Sequence, residues 1–209
     1  MRMDNATVQG RPDYRDILTA SERISSQVRN TRIAQNASFN QHLGCELWCK
    51  CENLQDTGAF KLRGATNAIL NLREQGALEN VATHSSGNHG AALARAAKLD
   101  GREASVVMPR DAVPSKAERV KSFDAKVIWC EPTHEAREEG LARLVEQGFI
   151  PIPPYDHVDI IAGQGTAALE LLNAVNDLDI LMTPVGGGGL AGGVGAALKS
   201  LRPGVRVIG

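Results

Sequence analysis

The chain has 209 residues, 43% of them hydrophobic and 22% charged, with 23 Lys+Arg against 24 Asp+Glu and a formal net charge of −1. That balance, with only 4% aromatic residues, argues against a nucleic-acid partner, which calls for a basic stripe or interleaved aromatics. The start is polar, and no stretch approaches the roughly 18 apolar residues of a membrane span, so a cytoplasmic protein without a membrane partner is expected.

In chain order, short apolar runs alternate with helical patterns, which predicts an α/β protein with largely parallel sheets. Strands are expected at 46–51, 81–83, 104–108, 126–130, 149–152, 180–183 and 205–208. Helices are expected at 66–75, 90–99, 115–123, 133–147, 165–176 and 190–201. In the first strand, alternation puts Leu47, Cys49 and Cys51 on one face, where cysteine behaves as a small buried hydrophobe. The four cysteines, Cys45, Cys49, Cys51 and Cys130, have neither C-x-x-C spacing nor the paired spacing of a zinc site, so free thiols and no metal are expected. Trp48 and Trp129 lie in strand runs and are expected in the core. His42, His134 and His157 lack ligand-like spacing and are read as surface or hydrogen-bonding residues. Breaks at Pro109 with Pro114 and at Pro151-Ile152-Pro153-Pro154 punctuate the middle, the second as a crossing between two lobes.

Three segments carry chemistry. Lys61 follows a Thr57-Gly58 turn and the apolar Ala59 and Phe60, at the opening of a helix that runs on through Asn67 and Leu70. Partial burial and a positive helix end both disfavour the ammonium form, which lowers the pKa and leaves more neutral nucleophile for imine chemistry. The segment from Thr83 to Gly90, with Ser85, Ser86, Gly87, Asn88 and His89, joins a strand to an alanine-rich helix. Its hydroxyls, amide and free helix-start N–H groups make a receptacle for a carboxylate. The same residues also serve as an ordinary N-cap, and both readings stand.

The third segment is Gly186, Gly187, Gly188 and Gly189, between a strand and the helix that begins near Leu190. Four successive bare amides suit a phosphate. Gly187, Gly189 and Gly192 also match the dinucleotide fingerprint, but the acidic residue it wants in the next strand is missing from 205–209. A P-loop fails for want of its second glycine before Lys199 and Ser200, and no G-x-S-x-G elbow surrounds Ser85 or Ser86. An amine for an imine and a cradle for a phosphate are the two attachments of pyridoxal phosphate.

In order along the chain, Glu52-Asn53-Leu54-Gln55, then Thr57 through Ala65 with Phe60-Lys61 at its centre, then Ser85-Ser86-Gly87-Asn88-His89-Gly90, then Gly163-Gln164-Gly165-Thr166, then Gly186-Gly187-Gly188-Gly189-Leu190 resemble the serine/threonine dehydratase and serine racemase family. The resemblance runs from about residue 31 onward. It implies a tryptophan-synthase-β-like fold of type II, with a large lobe from 1–79 and 154–209 and a small lobe from 80–153. By the same resemblance Lys61 holds pyridoxal 5'-phosphate and acts as base at the substrate α-carbon, Phe60 flanks the ring and Asn88 bonds its hydroxyl. Ser85, Ser86, Gly87, Asn88 and His89 take the substrate carboxylate, and Gly186, Gly187, Gly188, Gly189 and Leu190 enclose the phosphate. Ser86 is the position that serves racemase relatives as the second base.

The implied reaction converts the small amino acids L-threonine, L-serine or both to a 2-oxo acid and ammonia. The alternatives are a serine or hydroxyaspartate racemase/dehydratase of the same family, or a silent cofactor-binding fragment. Family members run on past Gly209 and are expected to form homodimers at full length. The resemblance therefore implies an incomplete large lobe here, with the partner of the pyridine nitrogen and any divalent-cation site beyond these residues.

Overall fold

β-Branched runs form strands and the stretches richer in alanine, leucine and charged residues form helices in the computed structural model of the protein, which describes residues 11–209. The order is α1 (Tyr14–Ile24), β1 (Ile33–Ala34), α2 (Ala37–Leu43), β2 (Cys49–Lys50), a 3-10 turn (Glu52–Leu54), α3 (Lys61–Glu74), β3 (Val81–His84), α4 (Asn88–Asp100) and β4 (Ala104–Pro109). It continues with α5 (Pro114–Lys121), β5 (Lys126–Cys130), α6 (His134–Glu146), β6 (Ile150–Pro151), α7 (Val158–Ala174), β7 (Ile180–Met182), α8 (Gly189–Leu201) and β8 (Arg206–Ile208).

The expected parallel sheet is present: four strands in the order β5-β4-β3-β6, all parallel. Every residue of β4 is buried, as a central parallel strand covered on both faces must be. On one face Val81, Val106 and Met108 pack with Leu62 and Ile69 of α3, Leu93 of α4 and Val120 of α5. On the other, Ala82 and Val107 meet Leu144 of α6. A second core joins Ile17 and Ala20 of α1 to Leu169 and Leu172 of α7, Val194 and Leu198 of α8, and Leu181 of β7. Strands β7 and β8 pair in parallel, and β1 and β2 form a short antiparallel ribbon.

Helix α7 ties the two cores together, and glycines let it do so. A Cβ at Gly163 would stand 2.6 Å from Gly64 Cα of α3, and one at Gly165 would stand 2.9 Å from the Gly193 carbonyl of α8. A helix-interior glycine costs about 1 kcal/mol in propensity, offset here by backbone approach that no side chain permits. The Gly163-Gln164-Gly165-Thr166 run is thus a double helix crossing.

Two helices lie outside the expected set. Helix α1 is capped by Asp13, which accepts from the Arg15 and Asp16 amides, while Asp16 Oδ2 accepts from the Asp13 amide at 2.8 Å. Helix α2 runs from the Asn36 N-cap to Gly44 at φ 65°. Helix α7 begins at Val158 rather than Gly165, because its glycines mark crossings and not a boundary. The first expected strand shrinks to β2, whose ribbon covers neither cysteine well: Cys49 is exposed and Cys51 half-buried. The four cysteines are free thiols. Trp48 packs partly buried against the second core, but Trp129 is 40% exposed, because β5 is the outer strand of its sheet.

Candidate active site

Lys61 is the first residue of α3, after Phe60 in αR geometry. What fixes that helix start is the residue two positions on. Arg63 is fully buried, and its guanidinium bonds Glu52 at 2.8 Å and Glu170 at 2.7 and 2.8 Å, with Thr166 Oγ1 at 3.1 Å. Glu52 also accepts from Thr31, and Lys50 pairs with Glu170 at 2.5 Å. Burial works against the Glu52 charge, but the bonds and charge of Arg63 outweigh it and hold the carboxyl below its usual range. Arg63 therefore joins the 3-10 turn, α3 and α7, and Lys50 ties β2 to the same cluster through Glu170.

The Lys61 amine donates to the Pro154 carbonyl at 2.5 Å, and its Nζ lies 5.4 Å from the centre of the Phe60 ring and 5.9 Å from that of Tyr155. Burial lowers its pKa from the ordinary lysine value, so neutral amine is more plentiful than on a solvated lysine.

The serine loop leaves the C-terminal end of β3. Ser85 is half-buried, Ser86 and Asn88 are exposed, and Ser85 Oγ accepts from the Gly87 amide at 3.2 Å. Helix α4 opens at Asn88 with no side-chain cap on its first turn, so its leading amides stay free. That favours the anion receptacle over the ordinary N-cap. His89 points the other way: it is wholly buried, and its Nε2 lies 3.1 Å from the Ile152 carbonyl. A carbonyl only accepts, so Nε2 carries the proton and Nδ1 presents a lone pair that meets no donor. Burial, then the charge of Lys61, pushes the His89 pKa down to about 4. Only the backbone of His89 is left for a ligand at the loop surface.

The tetraglycine turn follows β7 and starts α8. Gly188 caps the helix at φ 81°, a left-handed geometry suited to glycine. Nothing stands within 4 Å of where a Cβ would be on Gly186 or Gly188, so that side of the turn is open. On the other side a Cβ on Gly187 would overlap the Tyr155 ring, and one on Gly189 would stand 2.9 Å from the Tyr155 carbonyl. Tyr155 thus touches the glycine turn while its ring lies beside the Lys61 amine. A glycine turn at a helix start, open on one side and linked to a desolvated lysine through one aromatic residue, suits the two attachments of an aldehyde-bearing phosphate ester.

The description "Pyridoxal-phosphate dependent enzyme" belongs to the family whose pattern matches residues 24–209. The chain belongs to that family. Its relatives include the serine racemase of Dictyostelium discoideum, 46% identical over 194 residues that cover 92% of this chain and 60% of the racemase. The crystal structure of that racemase superposes with a TM-score of 0.90, covering 95% of this chain and 65% of the racemase chain. The beta-hydroxyaspartate dehydratase of Paracoccus denitrificans is 44% identical over 198 residues, 94% of this chain and 63% of the dehydratase. The crystal structure of the T.th. threonine deaminase superposes with a TM-score of 0.86 at 38% identity, over 94% of this chain and 64% of the deaminase. The chain spans about six-tenths of the length of the curated relatives it matches. As a member of this pyridoxal-phosphate dependent family it has the fold of type II that the motifs implied.

Among the described residues no three His, Cys, Asp or Glu side chains gather as a metal site, and no helix is long and apolar enough to cross a membrane. Sequence reading assigned no role to Arg63, Pro154 or Tyr155. The proline pair was a usable signal, since Pro153 and Pro154 lack N–H groups and offer carbonyls alone. A buried arginine inside a helical pattern gives no such sign.

Proposed function

We propose that this chain is the cofactor- and substrate-binding part of a pyridoxal-phosphate dependent dehydratase that converts L-threonine, L-serine or both to a 2-oxo acid and ammonia. The observation that carries this reading is the placement of a desolvated amine and an open tetraglycine turn on two sides of Tyr155. Lys61 is the attachment point and the α-carbon base. Gly186, Gly187, Gly188, Gly189 and Leu190 would hold the phosphate through backbone amides, with Phe60 to flank the ring and Asn88 to bond its hydroxyl. Bound there, the group supplies an electron sink for the pair left when the α-proton departs.

The chain's own residues do the rest. Free amides at the start of α4, with Ser85 and Ser86, take the substrate carboxylate and turn the α-hydrogen toward Lys61. The Lys61 amine, when not attached to that group, would accept the α-proton. The β-hydroxyl then leaves as water, and uptake of one water releases the 2-oxo acid and ammonia. Burial serves this by lowering the pKa of the amine, which leaves more of it neutral than on a solvated lysine. Residues 80–153, which carry the four-stranded sheet, are the small lobe in this reading, and 1–79 with 154–209 the large one. A cytoplasmic setting and a homodimer of the longer protein belong to the same proposal.

The test is a substrate panel. With pyridoxal phosphate present, the longest available form of the protein should yield 2-oxobutyrate from L-threonine or pyruvate from L-serine, and Lys61→Ala should abolish both. Cofactor binding without any oxo acid would contradict the dehydratase and favour the silent fragment. Similarity to a racemase and a hydroxyaspartate dehydratase keeps a second reading alive. D-serine formed faster than pyruvate, and lost in Ser86→Ala, would favour it.

A further inference from the structure

Four consecutive residues that no site motif includes touch all three motifs. The Ile152 amide donates to Ala82 O at 2.8 Å, which ties it to β3, and the Ile152 carbonyl faces His89 Nε2. The Pro154 carbonyl accepts from Lys61 Nζ. Tyr155 lies against Gly187 and Gly189, with its ring centre 5.9 Å from Lys61 Nζ. The prolines at 153 and 154 fix φ on the way, so the segment is stiff where it meets the lysine. Beyond it the His157 amide donates to the Tyr155 carbonyl at 3.1 Å, and α7 follows directly.

Tyr155 is the member of this segment whose side chain does the joining. It is 41% exposed, so burial of a hydrophobe does not account for its position. Its ring fills the space where a Gly187 side chain would stand, and the three atoms nearest that space all belong to the ring. The bareness of Gly187 is therefore matched to this ring, whereas that of Gly186 and Gly188 opens to empty space.

We propose that Tyr155 is a positioning residue, its ring acting as the spacer that sets the tetraglycine turn relative to the Lys61 amine and thereby the fit of an aromatic phosphate ester between them. This rests on the reading of Lys61 and the turn as two ends of one cofactor site. It goes beyond that reading in assigning the separation of the ends to a side chain that contacts both.

The first arm uses protein without cofactor. Gly187→Ala should lower Tm by at least about 3 °C, since it forces the ring aside. In a Tyr155→Ala background the same change should cost no more than about 1 °C. Additive shifts overturn the proposal. The second arm measures affinity for pyridoxal phosphate by titration. Tyr155→Ala should weaken it by about tenfold or more and Tyr155→Phe by no more than about twofold, because the ring and not the hydroxyl is the spacer. Unchanged or tighter binding by Tyr155→Ala overturns the proposal, as does Tyr155→Phe behaving like Tyr155→Ala. Tyr155→Leu replaces the alanine variant if circular dichroism shows the latter unfolded. Wild-type protein that takes no reducible label on Lys61 overturns the cofactor reading and this inference with it, whereas a labelled wild type with additive Tm shifts sinks the inference alone.

Discussion

Around Lys61 the chain is buried and cross-linked by charges, whereas around Gly187 it is exposed and leans on one aromatic side chain. At the lysine end Arg63, Glu52 and Glu170 interlock beneath the helix start, and Leu62 through Ile69 are all buried. At the glycine end Gly186 and Gly187 are exposed, Val185 is 57% and Met182 73% exposed, and the local sheet has two strands. The difference follows from what each end must do. A base must be held within tenths of an ångström and kept dry, while a phosphate cradle must let a charged group in and offers only amides.

From that contrast, substitutions in the charge network beneath Lys61 cost stability, whereas those on the open side of the glycine turn, at Gly186 and Gly188, cost binding. Arg63→Leu should have the largest effect, about 3–5 kcal/mol of unfolding free energy, because it leaves half-buried Glu52 without a cation and half-buried Glu170 with Lys50 alone. Urea unfolding checks this, and adding Glu52→Gln and Glu170→Gln should recover part of the loss.

Acid should act next. His89 is held neutral in the fold at a pKa of about 4, against 6.5 unfolded. Between those values the unfolded chain binds the extra proton, so stability is full above pH 6.5 and falls as pH drops toward 4, by on the order of 3 kcal/mol. Melting temperatures across that range should show the fall, and His89→Gln should flatten it.

At the crossing of α3 and α7, Gly163→Val forces two backbones apart and should cost about 1–3 kcal/mol, also read by urea unfolding. The smallest stability change is expected at the glycine end. Gly188→Asp meets no neighbour and adds only left-handed backbone strain, about 1 kcal/mol. Its affinity for pyridoxal phosphate should nonetheless drop sharply, because a carboxylate then faces the phosphate. Loss of stability with unchanged affinity in that variant would erase the contrast.

Much of this was legible in the residues. Lys61 after a turn, the strand-to-helix step at Ser85–His89 and the tetraglycine run before Leu190 are local signals, written in neighbouring residues, and each falls where its strand or helix end required. The sheet of β3, β4, β5 and β6 was legible for the same reason. What stayed hidden is long-range. Nothing near Arg63 announces Glu170, and nothing near Tyr155 announces Gly187, because those contacts exist only after α7 has crossed α3 and α8. Helix α1 was readable and missed: Asp13 with Asp16 is a capping pair, and Ile17, Ala20 and Ile24 recur at helical spacing. The exposure of Trp129 depended on β5 being an outer strand, which strand order decides and local sequence does not.

The central claim is that one amine, at Lys61, carries the cofactor. Incubation with pyridoxal phosphate, reduction with borohydride and mass mapping of the peptides tests it most directly. The account predicts a pyridoxyl adduct on the peptide containing Lys61, absent in Lys61→Ala. An adduct on Lys50, Lys116 or another lysine in its place, or no adduct at all, would contradict it.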